Sequence, residues 1–180
     1  MENKKSMWSY ALTYGVILGL VSVVVNILFY FISPVDPAKL GSGSSWLQTI
    51  IGIAITIAVL IWGTRNYRDE ALDGFISYGK SLGFALAIAL PYIFIMAIYM
   101  FFYVKFLVPD LMQSAMDAQA DKLAEQGLSD EEIQTSMKVM SAMGNPIVTT
   151  LMGMIGSFFT VLICGLISSI FTKKEAASSI

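Results

Sequence analysis

The chain has 180 residues, of which 56% are hydrophobic and only 13% are charged, and its formal net charge is −2. Soluble domains carry about 25% charged residues, so this composition indicates a protein whose apolar surface faces lipid. The negative net charge argues against a nucleic-acid partner. The sequence has no His and a single Cys, which excludes His bases, disulfides within the chain and Cys-rich zinc sites.

Four uncharged apolar segments are long enough to cross a bilayer as helices, which takes roughly 17–25 residues. They cover about 8–32, 46–62, 81–104 and 146–171. Because lipid cannot hydrogen-bond to an open backbone, each of them is expected to be helical. Residues 1–180 are therefore predicted to form a single all-α, polytopic membrane domain with four transmembrane helices.

Prolines and polar residues are expected to shape the ends of these spans. The first helix is predicted to stop before Pro34 and Pro37, and the third to kink about one turn before Pro91. Apolar residues within 65–80 recur at helical spacing. They predict a separate interfacial helix that leads into the third span.

Residues 109–143 connect the third and fourth spans and predict an amphipathic helical hairpin broken at Gly127. Ser129 and Glu132 have the spacing of a capping box at the start of its second helix. Its apolar positions are rich in methionine, which makes the hairpin a candidate surface for docking a partner. The docking candidates are Met112, Met116, Met137 and Met140.

The spacing of Met137, Met140 and Met143 also suits a thioether site for Cu(I). Methionine is equally the adaptable apolar residue of helix faces, so packing is the alternative explanation. No cofactor is predicted.

Lys and Arg residues are distributed unequally between the two sides of these spans. The positive-inside rule places the richer side in the cytoplasm, together with the N and C termini, and the hairpin on the outer side. The cytoplasmic set is Lys4, Lys5, Arg65, Arg68, Lys80, Lys173 and Lys174, and the outer set is Lys39, Lys105, Lys122 and Lys138.

Small residues recur at four-residue spacing in three spans, and such ridges let helix backbones approach closely. They are expected to pack within one four-helix bundle or along a homodimer seam. Gly19→Leu is expected to disrupt this packing and Gly63→Leu to be milder. Asn26 is expected to bond to a neighbouring helix, with a ligand contact as the alternative. The predicted packing residues are Gly15, Gly19, Asn26, Gly83, Pro91, Gly156 and Thr160.

Three strings in chain order resemble a family of bacterial membrane proteins known as domain of unknown function 4199. They are Gly74-Phe75-Ile76-Ser77-Tyr78-Gly79, Val108-Pro109-Asp110 and the run from Leu166 to Lys174. The resemblance implies a four-span protein of the bacterial inner membrane with a periplasmic excursion between spans three and four. It implies no activity and no active-site residues.

The leading hypothesis is a non-enzymatic accessory or scaffold subunit that presents the outer hairpin to a membrane or periplasmic protein. The main alternative is a small transporter or lipid-handling protein, with Pro91 and Asn26 at its pathway. A third is a membrane enzyme that uses acids of the hairpin such as Asp110 or Asp117. No Asp, Glu, Lys, Arg or His lies centrally in a span, which argues against a pump or an ion-coupled transporter.

Overall fold

The computed structural model describes residues 6–32, 46–107, 109–143 and 145–175. Helices occupy almost all of these residues, and the only β contact among them is an isolated bridge between Ile76 and Lys174. The predicted all-α fold is therefore confirmed. The predicted stop at Pro34 and Pro37 lies outside the described residues. The helices are α1 Met7–Ile32, α2 Trp46–Ala71, α3 Tyr78–Phe102 with a π-helical continuation Tyr103–Leu107, α4 Pro109–Glu125, α5 Asp130–Met143 and α6 Pro146–Thr172.

Four of these helices, α1, α2, α3 with its π-helical continuation, and α6, are long and apolar enough to cross a membrane. They run alternately up and down. Tyr10 near the start of α1 donates a hydrogen bond to Glu70 near the end of α2, and Ser81 in α3 contacts Thr172 at the end of α6. α1 and α6 each pack on both α2 and α3, so the four helices form a ring. We call the end with the α2–α3 connection the turn end, and the opposite end the α4–α5 end.

α2 is longer than its apolar span, because residues 65–71 continue it instead of forming an interfacial helix. Two residues of this extension, Asn66 and Tyr67, contact the other helices of the bundle. The Asn66 side chain donates a hydrogen bond to the Tyr14 hydroxyl, and the Tyr67 ring stacks on Phe84 with 4.5 Å between centroids. The helix ends at Ala71, and Asp73 and Gly74 follow with positive φ angles of 53° and 84°. The predicted separate helix over 65–80 is therefore wrong.

Two helices, α4 and α5, occupy the connection between α3 and α6, and Gly127 lies between them at a φ of 81°. The predicted capping box is present. The Ser129 backbone N–H donates to the Glu132 carboxylate at 2.9 Å, and Glu132 N lies 3.5 Å from the Ser129 hydroxyl oxygen. α4 and α5 pack on each other and touch the bundle mainly where they join it. Their location on the outer side of the membrane stays a prediction.

Candidate binding cavity

The seam between α1 and α3 is closed by glycines. A Cβ added at Gly15 would overlap the Pro91 ring and lie 2.6 Å from the Ile88 carbonyl oxygen, and one at Gly19 would lie 2.9 Å from Ile95 Cδ1. A side chain at either position would therefore force its neighbour on α3 to shift, and glycine permits the close approach of the two helices. α3 is assigned as one continuous helix through Pro91, whose ring fills the space left by Gly15.

The other predicted glycines behave differently. A Cβ at Gly83 or Gly156 would meet no atom within 4 Å, so the predicted close packing at these two positions is not found among the described residues. Gly63→Leu was expected to be milder than Gly19→Leu, yet Gly63 is buried and a Cβ there would lie 2.7 Å from Tyr14 Cγ, closer than the 2.9 Å at Gly19. That expectation is wrong, because Tyr14 packs across α2 at this point. Gly165 is also buried, with Ala85 Cβ 3.2 Å from its ideal Cβ position.

A cavity of about 220 Å³ lies toward the α4–α5 end of the ring. At the turn end, α1 and α2 are in contact through Tyr10, Tyr14 and Gly63, and the cavity lies farther along the same two helices. α1 and α2 supply most of its wall, and α3 and α6 supply one residue each. The lining is Ser22, Val25, Asn26, Gln48, Thr49, Gly52, Ile53, Ile55, Thr56, Tyr92 and Thr160.

An amide pair spans the cavity wall between α1 and α2. Gln48 Nε2–H donates to Asn26 Oδ1 at 3.1 Å, and Asn26 Nδ2–H donates to the Ser22 carbonyl oxygen at 2.8 Å. This is the bond to a neighbouring helix that was expected of Asn26. Because amide groups need partners when water is excluded, this pair holds α1 and α2 at a fixed spacing beside the cavity.

Hydroxyl groups line the rest of the polar surface. Thr56 donates its hydroxyl hydrogen to the Gly52 carbonyl oxygen at 2.8 Å, and Thr160 donates to the Gly156 carbonyl oxygen at 2.9 Å. Both hydroxyl oxygens keep lone pairs that can accept a further bond. The Tyr92 hydroxyl lies within hydrogen-bonding reach of the Ser22 and Ser157 side chains.

Every described side chain that lines the cavity is uncharged. These side chains offer neutral donors and acceptors, and none of them is a carboxylate, imidazole or amine that could transfer protons at neutral pH. Within the described ranges, no group of three His, Cys, Asp or Glu side chains is placed to hold a metal ion. The arrangement is suited to binding a polar, uncharged group inside the membrane-spanning region.

Sequence reasoning found two of these lining residues, Asn26 and Thr160, as packing candidates, and it missed Gln48, Thr56 and Tyr92 as lining residues. A signal for two of them was present in the second span, where Gln48, Gly52 and Thr56 follow one another at four-residue spacing. Such spacing places them on one face of a helix. The position of Tyr92 beside Pro91 carried no comparable signal.

The methionines of α4 and α5 are only partly described. Met116 and Met137 are half-buried. The side chains of Met112, Met140 and Met143 lie outside the described residues, so the Cu(I) site and the docking surface stay predictions. Cys164 is 2% exposed in α6, as expected for an inert core thiol.

Comparison with known proteins gives one match. A family model described as "Protein of unknown function (DUF4199)" matches residues 13–174, which includes all four spans except the first residues of α1. Neither the curated proteins nor the solved structures gave a match. The match covers most of the chain, and four apolar helices are present in it, so the chain belongs to the DUF4199 family as a multi-pass helical membrane protein.

Proposed function

We propose that this protein is a non-enzymatic, lipid-handling membrane protein or small transporter that binds the polar part of a membrane-dissolved ligand in the cavity. The observation that carries the proposal is the polar lining within the spans, with the Asn26–Gln48 pair at its wall. Polar groups inside a membrane are costly unless they are paired, and they commonly mark a ligand pathway. Thr49, Gly52 and Ile53 are exposed, which leaves a way in from the side of α2.

Gly52→Leu tests this proposal, because a Cβ at Gly52 meets no atom within 4 Å and the longer side chain would fill the cavity without a backbone clash. Gly156→Leu is the matched control, since Gly156 also has open space around its Cβ position but does not line the cavity. Lipid retained after purification in mild detergent would be identified and quantified by mass spectrometry.

We expect the wild type and Gly156→Leu to retain the same lipid species at a fixed ratio to protein, and Gly52→Leu to lose it. Equal retention of that species by both variants, at unchanged thermal stability, would contradict a binding role for the cavity.

A second candidate is the scaffold function, which the arrangement of α4 and α5 favours. These helices contact each other and touch the bundle mainly through adjoining segments, so most of their surface is available to a partner. Replacing the four docking candidates Met112, Met116, Met137 and Met140 with Ser is expected to abolish co-purification of a protein partner while the spans stay folded. A variant that keeps every partner would remove this candidate. A second copy of the chain is another partner to test, because Gly83 and Gly156 leave small-residue faces open.

The proposal also includes a bacterial inner membrane location with the turn end in the cytoplasm. Arg65, Lys80, Lys173 and Lys174 are exposed near that end, whereas Lys105 is at the opposite end of α3. Short loops rich in Lys and Arg remain on the cytoplasmic side during insertion. We therefore propose that the N and C termini are in the cytoplasm and that α4 and α5 are outside it.

A further inference from the structure

The size of the cavity limits what part of a ligand it can hold. Its volume of about 220 Å³ is below the roughly 300–1,000 Å³ of pockets that enclose a drug-sized molecule. Thr49, Gly52 and Ile53 are exposed along α2, so one side of the cavity is open to the surroundings of the bundle. A lipid can place its head group inside while its hydrocarbon chains stay in the bilayer.

The charges around the cavity limit the head group further. No Lys or Arg that would compensate a phosphate is among the described residues that line the cavity. Lys105 is the described cation at this end of α3, and its ammonium lies over the rings of Phe101 and Phe106, at 5.5 and 5.3 Å from their centroids. Among the described residues, an anionic head group in the cavity would therefore meet no counter-ion, and a buried charge without one is strongly unfavourable.

The hydrogen-bonding groups that line the cavity are best satisfied by a ligand group that both donates and accepts. Thr56 and Thr160 have given their hydroxyl hydrogens to carbonyl oxygens of their own helices, so towards a ligand they can only accept. Gln48 uses one amide hydrogen on Asn26 and has a second to donate. Esters, ethers and phosphodiesters only accept, whereas a hydroxyl group both donates and accepts.

We infer that the cavity selects an uncharged lipid with a free hydroxyl on its head group, of the diacylglycerol class. This inference rests on the proposed function and adds the chemical class of the ligand. The lipid hydroxyl donates to Thr160 or Thr56 and accepts from Gln48. A lipid without that hydrogen leaves the threonine oxygens without a donor.

Photo-crosslinking with three diazirine-bearing lipids of identical acyl chains tests this inference on the full-length protein in phosphatidylcholine nanodiscs. The three are a diacylglycerol, the same molecule with its hydroxyl acetylated, and the corresponding phosphatidic acid. We expect half-maximal labelling by diacylglycerol at a concentration roughly tenfold lower than for the other two, which is the effect of one unsatisfied buried polar group or more.

Thr160→Val removes the accepting oxygen at nearly constant volume and should weaken diacylglycerol labelling about tenfold. Thr150→Val is the control, because Thr150 makes the same kind of bond to its own helix, to the Pro146 carbonyl at 2.7 Å, but does not line the cavity. It should leave labelling unchanged.

The outcomes separate the ligand class from the proposed function. If the acetylated lipid or phosphatidic acid labels as well as diacylglycerol, and Gly52→Leu abolishes the labelling, the cavity binds lipid and the hydroxyl requirement is wrong. If labelling by all three lipids is the same in Gly52→Leu as in the wild type, the proposed binding role of the cavity is wrong as well.

Discussion

Gly15 and Gly19 lie one turn apart on the face of α1 that meets α3, yet a methyl group at each would meet a different kind of obstacle. At Gly15 the neighbours are the Pro91 ring and the backbone carbonyl of Ile88, neither of which can move without shifting α3. At Gly19 the obstacle is the side chain of Ile95, at 2.9–3.0 Å. A rotamer change can move Cδ1 and Cγ2 of Ile95 but not its Cβ, which lies at 3.0 Å, so Gly19 is more tolerant than Gly15 without being open.

We therefore predict that Gly15→Ala destabilises the bundle more than Gly19→Ala. Overpacking against a rigid neighbour costs typically about 1–3 kcal/mol, and Gly15→Ala should lie at or above the upper end of that range. The midpoint of thermal unfolding in detergent measures the difference. Gly156→Ala, where the Cβ meets no atom within 4 Å, should match the wild type. Equal losses at Gly15 and Gly19 would show that α3 adjusts as a whole at both sites.

Among the helices, α2 is the one of which the sequence predicted one part correctly and another part wrongly. Its apolar run from Trp46 to Trp62 predicted a span, and α2 does begin at Trp46. The extension to Ala71 was missed because Asn66 and Glu70 look like surface residues. Their partners, Tyr14 and Tyr10, are more than 50 positions earlier in the chain. Local periodicity does not contain such pairings, since they depend on which helices are neighbours.

The start of α5 was predictable because a capping box is local. Ser129 hydrogen-bonds to the Glu132 carboxylate through its backbone N–H and its hydroxyl, and these bonds lower the pKa of Glu132 from its ordinary value of 4.5. A carboxyl whose pKa is lower in the folded state stabilises that state above its unfolded pKa. The stabilisation is lost as the pH falls through the folded pKa.

We predict that the first turn of α5 becomes less ordered as the pH is lowered through and below the ordinary range of a Glu carboxyl. Hydrogen exchange of the amides of residues 129–135, followed by mass spectrometry with the labelling pH varied and corrected for the intrinsic rate, measures this. Glu132→Gln should lose the pH dependence. Glu131→Gln is the control, because Glu131 shares the first turn but not the capping bond. A dependence that persists in Glu132→Gln would assign it to another group.

For the molecule as a whole, four spans could be read from the sequence, but the cavity could not. Asn26 was recognised as an unusual polar group within a span, but its partner Gln48 is on another helix, and Tyr92 reaches the space from a third. The lining comes from four helices, so the cavity depends on which helices are neighbours and which of their faces meet. The residue pattern within one helix can identify polar side chains, but it cannot predict which helices come together to enclose a cavity.

The orientation of the whole bundle is testable with single cysteines. In a Cys164→Ser background, Asp121→Cys in α4 should react with an impermeant maleimide on intact spheroplasts. Arg65→Cys near the turn end should react only after permeabilisation. Both side chains are exposed, so a cysteine that fails to react is on the far side of the membrane and is not simply buried in the protein. Reaction of Arg65→Cys from outside would invert the topology derived from the positive-inside rule.

The uncharged lining of the cavity has a consequence for energetics across the membrane. Moving one elementary charge through the membrane potential changes its free energy by about 2.3 kcal/mol per 100 mV, whereas a neutral ligand between neutral walls gains or loses nothing. The occupancy of the cavity should then follow only the concentration of its ligand in the bilayer. Collapsing the potential with an ionophore should leave that occupancy unchanged. The same should hold in a cell that has lost its membrane potential because it has stopped respiring.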